Sequence, residues 1–435
     1  MLIDKRIVDQ RRENSPMKTK EESLLGQYRV LDMSEGGCLI CGKILGDLGA
    51  DVIKIEKPGG SPSRSIGPFY NDNPDPQKSL FWFAYNTNKR SITLDIETSN
   101  GKEIFKRLSK TADFVIESFP PGYMKRLCID YSVLSEMNPS IILTSITPFG
   151  QEGPKANYES SDLTTWAAGG ALYITGYPDR PPNWIGPHQA SFNAGSQAAY
   201  GTMIANWHRK RTGEGQHVDV SVQESVTQTL HHTALYWDVY QTEFKRQGFS
   251  MRGGKTWMKL GFPCKDGYIA LLLMGGGGAA MVKSSNALVN WMAEEGVASE
   301  WLMKINWEKD YDASKLSQET VDRVENEVSS FLMRKTKLEL FEEGIRRRIL
   351  IAPVNNAKDL VENIQLRERN FWVEVKHPEL NDILTYCGNF AKISEAPIKI
   401  RRRPPLIGEH NEEVYYEEMG IGKKKLYALK KAGVI

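Results

Sequence analysis

The chain has 435 residues, 40% hydrophobic and 25% charged, with 56 Lys and Arg against 54 Asp and Glu. This excludes a disordered, fibrous or disulfide-framework protein, and at ~150 residues per domain the length allows two or three domains. A formal net charge of +2 is too small for the field that holds nucleic acid or a membrane surface, so an anionic ligand must be met by local basic groups.

Residues 1–22 are polar, lack the apolar stretch of a signal peptide and read as a solvated lead-in. A short strand is expected at 28–32, a helix over 42–48, and further strands at 51–56, 91–95, 113–117 and 140–146. Between them, 100–109 has helical spacing, with Ile104, Phe105 and Leu108 as its apolar face. Strands that are apolar runs and alternate with helices imply a mainly parallel sheet covered on both faces. Residues 150–195 are rich in Gly, Pro, Ser and aromatics, the composition of loops that line a site. A helix over 198–209 ends at Arg211-Thr-Gly-Glu-Gly-Gln216, before a strand at 218–222. From about 227 to 348 the pattern is helical (285–295, 317–335, 338–348) with a few short strands, and 371–375 is a strand in the tail. No run reaches the ~18 apolar residues of a spanning helix. The expectation is a soluble, cytoplasmic protein.

Five cysteines (Cys38, Cys41, Cys128, Cys264, Cys387) suggest no pairing scheme. Cys38-Leu-Ile-Cys41 has the spacing of a redox or zinc motif, but no second pair supports it, and buried thiols are the simpler reading. No metal site is expected; His231-His232 has no acidic neighbour at ligand spacing. Lys57, Lys89, Arg90 and Arg126 are read at strand ends, where open parallel sheets bind ligands, and together suit phosphates; singly, each reads as a solvated charge. Gly275-Gly-Gly-Gly278 is a flexible turn or a loop over a site.

Several long words stand in order: Gly49-Ala-Asp-Val-Ile-Lys-Ile-Glu56, Asn88-Lys-Arg-Ser-Ile92, Phe149-Gly-Gln-Glu-Gly-Pro154, Arg211-Thr-Gly-Glu-Gly-Gln216 and Leu406-Ile-Gly-Glu-His410. Together they resemble the class III CoA-transferase family, which includes formyl-CoA transferase, carnitine CoA-transferase and the acyl-CoA racemases, from about residue 25 to 420. The resemblance implies an α/β fold: a discontinuous, Rossmann-like large domain with a mainly parallel sheet, an inserted smaller α+β domain, and a dimer of chains interlocked like linked rings. The boundaries expected are a polar extension 1–24, the large domain at 25–226 and 350–435, and the small domain at 227–349. Coenzyme A would be bound as a substrate, with no tightly bound cofactor, near Lys57, Lys89, Arg90, Phe119 and Arg126. Gly275, Gly276, Gly277 and Gly278 would cover the acyl-enzyme intermediate.

Catalysis in that family rests on an aspartate that attacks the acyl-CoA thioester to form an acyl-aspartyl anhydride. Counted back without gaps, that position is Ser191, within His188-Gln-Ala-Ser-Phe-Asn-Ala-Gly195, which contains no carboxylate. A serine hydroxyl needs an adjacent base, for which His188 is the local candidate, and its ester is too stable to exchange like an anhydride. The racemase pattern also fails, because it needs His at Ser161 and Asp at Ser191. Asp162 reads as structural, an N-cap for the following helix, with a displaced nucleophile as the weaker alternative. The family's Ala-Gly-Pro is absent from Ser34-Glu-Gly-Gly-Cys-Leu-Ile-Cys41.

The leading expectation is thus a subunit of a heteromeric, benzylsuccinate-type CoA-transferase, paired with a paralogue that supplies the aspartate. The alternatives are a self-sufficient enzyme, a homodimer, using Asp162, or Ser191 with His188, and a CoA- or acyl-CoA-binding scaffold without chemistry. The substrates would be a CoA thioester and a carboxylic acid. Aromatics at Tyr173, Tyr177, Trp184, Trp237, Tyr240 and Trp257 suit an aromatic acid, although core packing accounts for them equally.

Overall fold

The computed structural model describes residues 23–435 except Gly254, Gly277 and Ala313, so the lead-in 1–22 and one of the four loop glycines lie outside the described residues. The chain forms two compact units: one of residues up to 169, 186–229 and 368–435, the other of 170–185 and 230–367. The sequence boundaries had placed 170–185 and 350–367 in the large domain. Backbone pairing puts them in the second unit: Gly248 N–H donates to Gly176 O at 2.8 Å, and Ile351–Pro353 pairs with Gly267–Leu271.

The first unit is built on six parallel strands, β1 (Arg29–Met33), β2 (Asp51–Glu56), β3 (Lys89–Thr93), β4 (Phe114–Glu117), β5 (Ile142–Thr147) and β6 (His217–Ser221), in the order β3-β2-β1-β4-β5-β6. Strands β3, β4 and β5 are buried throughout; β4 and β5 accordingly run largely apolar rather than alternating, whereas β3 (Lys-Arg-Ser-Ile-Thr) is buried through its ion pairs. The helices that position the site are α1 (Leu39–Asp47), α2 (Ser99–Ser109), α3 (Tyr123–Arg126), α4 (Asp162–Ala168) and α5 (Gln189–Thr212). Helix α2 is capped by the Thr98 hydroxyl and lays Ile104, Phe105 and Leu108 into the core. The chain end returns to the same sheet: Tyr415 Oη donates to Thr93 O at 2.7 Å, and Asp95 N–H to Val434 O at 2.8 Å. The unit is therefore discontinuous, as expected.

Buried ions tie the strands together. Lys89 and Asp32 are both fully buried and meet at 2.8 Å, with Lys89 Nζ also donating to Leu39 O at 2.9 Å. Gly42 of α1 lies over this pair, and a Cβ there would come within 2.2 Å of Asp32 Oδ2. Gly42→Ala is accordingly expected to lower stability by about 1–3 kcal/mol through overpacking, read as an earlier urea midpoint with unchanged slope.

In the second unit, β7 (Ser250–Gly253) and β8 (Thr256–Lys259) form a hairpin, while β9 (Gly261–Cys264), β10 (Gly267–Leu271) and β11 (Ile351–Pro353) form an antiparallel sheet in the order β11-β10-β9. Helices α6 (Ala279–Glu294), α7 (Gln318–Leu332) and α8 (Lys337–Arg347) contribute Leu288, Val324, Phe331 and Leu340 to its core. Gly275 is held by packing: a Cβ would lie 1.9 Å from Trp307 O, and Gly276 N–H donates to that carbonyl at 3.0 Å.

Candidate active site

In a doubly wound sheet, ligands bind beyond the carboxyl ends of the strands where the order reverses, here between β1 and β4. The segment leaving β1 is fixed there by hydrogen bonds. Ser34 N–H and Oγ donate to Asp32 Oδ1 at 2.9 and 2.6 Å, Glu35 N–H to Ser118 Oγ at 2.9 Å and Gly36 N–H to Ser63 Oγ at 2.8 Å. The Glu35 carboxylate accepts from the hydroxyls of Ser61 and Ser63 and lies 3.6 Å from Lys54 Nζ.

Helix α5 begins against this segment. A Cβ on Gly37 would lie 2.6 Å from Ser191 Cβ, and one on Gly195 would lie 2.6 Å from Ile40 Cγ2, so only small residues allow the helix and loop to meet. Ser191 is in the first turn of α5, and its N–H and Oγ both donate to Asp162 Oδ1 at 3.0 Å. Asp162 Oδ2 is buried and has no hydrogen-bond partner. Asp162 does not cap its own helix, contrary to the sequence reading: Ser161 is the N-cap of α4, in a reciprocal box with Thr164. The carboxylate instead reaches the start of α5, where free N–H groups and the helix dipole attract negative charge. The Ser191 hydroxyl is turned to Asp162, and the His188 imidazole packs on Phe81, with ring centroids 4.8 Å apart.

The residues expected to bind coenzyme A divide into two groups. Lys57, just beyond β2, pairs with Glu97 at 3.3 Å, and Glu97 also accepts from Tyr123 Oη at 2.7 Å. Phe119 stacks on Tyr123 at 4.5 Å, with the Arg126 guanidinium 5.1 Å from the Tyr123 ring centroid. Lys57, Phe119 and Arg126 thus stand together. Lys89 and Arg90 do not join them, because they open β3 at its amino end. Lys89 is spent on Asp32, and Arg90 grips Asp51 through two nitrogens (2.9 and 2.6 Å) while also pairing with Glu413 and Glu418. The tetraglycine loop lies in the second unit, with Gly277 outside the described residues.

Cys38 and Cys41 are buried and unpaired with each other. Burial, with nearby carboxylates, pushes the Cys38 thiol up to about 12, and burial holds Cys41 well above its ordinary value. Protonated thiols are neither redox nucleophiles nor metal ligands. Among the described residues no group of three or more His, Cys, Asp or Glu is placed to hold a metal, and no helix is long and apolar enough to cross a membrane.

Sequence reasoning missed the Asp162–Ser191 pairing, which spans 29 residues, and the burial of Glu117 at the end of β4. A charged residue closing an apolar strand, as in Phe-Val-Ile-Glu117, was the available signal.

Six parallel strands whose order reverses between β1 and β4 define a doubly wound α/β protein, with the stacked Phe119 and Tyr123 and the cations Lys57 and Arg126 beyond its strand ends. Residues 25–411 match the model of CoA-transferase family III, and the chain belongs to that family. It is 36% identical over 393 residues to succinyl-CoA:(R)-benzylsuccinate CoA-transferase subunit BbsE of Thauera aromatica, covering 90% of this chain and 93% of that protein. It is 30% identical to succinyl-CoA:mesaconate CoA-transferase of Haloarcula hispanica, covering 92% and 97%. A solved CAIB/BAIF family protein from Brucella suis superposes with a TM-score of 0.79 at 25% identity, covering 91% of this chain and 99% of that one.

Proposed function

We propose that this chain is the non-acylating subunit of a heteromeric class III CoA-transferase that moves CoA from a thioester to a carboxylic acid, its partner being a paralogue that carries the nucleophilic aspartate. The observation that carries this reading is the state of position 191: a serine, not a carboxylate, whose hydroxyl and amide are both bound to Asp162, and whose ester would be too stable to exchange like an anhydride. The relative BbsE is named as a subunit, and a degenerate chain is retained in an interlocked pair because the partner needs it to complete its fold. Helix α5 supplies a surface for such a partner, with Tyr200, Ile204 and Trp207 on neighbouring turns, 53, 65 and 68% exposed.

Lys57, Phe119 and Arg126 hold the coenzyme A in this reading, Phe119 offering a face for stacking and the cations meeting phosphate. Phe119→Ala is expected to weaken CoA binding roughly 5- to 100-fold, the range of one lost stacking partner, by titration calorimetry of the full chain. The subunit reading is tested by purifying the chain alone and together with its gene-neighbour paralogue and assaying transfer from succinyl-CoA. The pair should turn over and the lone chain should not; full turnover by the lone chain would falsify the proposal.

One observation favours a second reading. Asp162 places a carboxylate at hydrogen-bond distance from the residue that stands where the family has its nucleophile, and one of its oxygens has no partner. If Asp162 accepts the acyl group, incubation with succinyl-CoA and trapping with hydroxylamine should mark Asp162 in peptide mass maps. An unmarked Asp162 in a chain that turns over alone excludes it.

A further inference from the structure

Glu117 ends β4 and is 3% exposed, yet its carboxylate has no cation paired with it among the described residues. It lines a cavity of about 280 Å³ together with Met124, Tyr131, Leu143, Ser145 and His217. The strand register sets its surroundings: Glu117 lies beside Ser145 of β5, and Ser145 beside Asp219 of β6. On parallel neighbours these three side chains point to one face. Ser145 Oγ is 2.9 Å from His217 Nε2, and the Tyr131 ring stacks on His217 at 5.9 Å. Lys125 and Asp130 face the cavity from the helical side, and from the β1 side the Cys38 thiol feels the Glu117 charge.

On its other side the same carboxylate holds the turn after β4. Phe119 N–H donates to Glu117 Oε2 at 2.6 Å, and the next residues place Tyr123 under Phe119 and Arg126 beside Tyr123. Ser118, between them, accepts from Glu35 N–H. Glu117 thus sits beneath the proposed coenzyme-binding residues rather than among them.

We propose that Glu117 is a proton-operated positioning residue: as the carboxylate it locks the Phe119–Tyr123–Arg126 clamp for coenzyme A, and as the acid it slackens that clamp. The proposal rests on the reading of Lys57, Phe119 and Arg126 as the coenzyme site. The ionised form accepts the Phe119 N–H in a charge-assisted bond, and protonation weakens it to an ordinary neutral one. Burial pushes the group up to about 7, against the lowering pull of the Ser145 hydroxyl and the Phe119 N–H, with Asp219 adding a repulsive push. The change therefore falls within the physiological range.

The sign follows directly. Coenzyme A favours the ionised form, so its affinity rises with pH through the Glu117 transition, by roughly fivefold for the difference between a charged and a neutral hydrogen bond. The test is titration calorimetry of the full chain with coenzyme A between pH 5.5 and 8.5, for wild type, Glu117→Gln, Ser145→Ala and Asp219→Asn in matched buffers. Titration of coenzyme A itself is common to all and cancels in the comparison. Glu117→Gln should remove the chain's own pH step and bind at the weaker, acidic level. Ser145→Ala should move the midpoint up and Asp219→Asn down, which a merely structural role for Glu117 would not produce. Should Glu117→Gln fail to fold, the two opposite midpoint shifts still decide the matter. Binding by the wild type with a pH profile that none of the variants changes overturns the inference. No binding by the wild type at any pH overturns the coenzyme site reading itself.

Discussion

Lys89→Met is expected to abolish the native fold or bring it close to unfolding, with a loss of about 3–5 kcal/mol against a total of ~5–15 kcal/mol for a typical domain. The side chain is of similar length, so the loss comes from charge. Asp32 has 0% exposure and accepts from Lys89 Nζ at 2.8 Å through one oxygen, and from Ser34 through the other. Without Lys89, a buried carboxylate loses its paired cation, and Lys54 is left to act on it at longer range. Burial works against the Asp32 charge, but Lys89 and Lys54 outweigh it and hold the carboxyl below its ordinary value of 3.8. Because the carboxyl is depressed, the pair's stabilisation is present above the unfolded value and fades as pH falls through and below the ordinary aspartate range. Chemical denaturation should show Lys89→Met far below wild type at neutral pH. The double variant Asp32→Asn with Lys89→Met should recover much of the loss, because no lone charge then remains. Equal loss in the single and double variants would show that packing, not charge, sets the effect.

The second large effect concerns position 191. Restoring a carboxylate by Ser191→Asp alone is expected to leave the chain inert towards succinyl-CoA. The new group would stand at hydrogen-bond distance from Asp162, since Ser191 Oγ is now 3.0 Å from Asp162 Oδ1, and two carboxylates so placed share a proton. Ser191→Asp combined with Asp162→Asn removes that conflict. The double variant should form an acyl adduct faster than wild type by a factor on the order of 10³ or more, the gap between a poised carboxylate and an unactivated hydroxyl. Hydroxylamine trapping and peptide mass mapping should place the mark on residue 191. Labelling of Asp162 in the wild type would replace this account with the second reading, and no labelling in the double variant would show that the site is incomplete for another reason.

Much of the fold was legible because parallel strands covered on both faces are written as apolar runs. Strand β2 matches its expected span of 51–56, and helix α2 begins one residue early. Helix α5 was read nine residues short at its start. The stretch Gln-Ala-Ser-Phe-Asn-Ala-Gly-Ser-Gln has weak helix propensity, and it is helical because Asp162 caps its first turn and Gly195 lets it settle on Ile40. Both partners are distant in sequence. The expected phosphate ligands Lys89 and Arg90 failed for a related reason: a lysine followed by an arginine reads as solvent-facing, and full burial requires a partner. Those partners, Asp32 and Asp51, lie 57 and 39 residues away.

The sequence by itself determined the family and the alternation of strand and helix, since each is written in local words; it also led to Ser191 as the position to examine. Only the tertiary structure decided that Lys89 and Arg90 are buried in ion pairs, that Asp162 serves helix α5 rather than its own, and that Glu117 lies buried beneath the Phe119 turn. The physical reason is that burial and pairing set the state of an ionisable group, and both depend on neighbours that the chain supplies from far along its length.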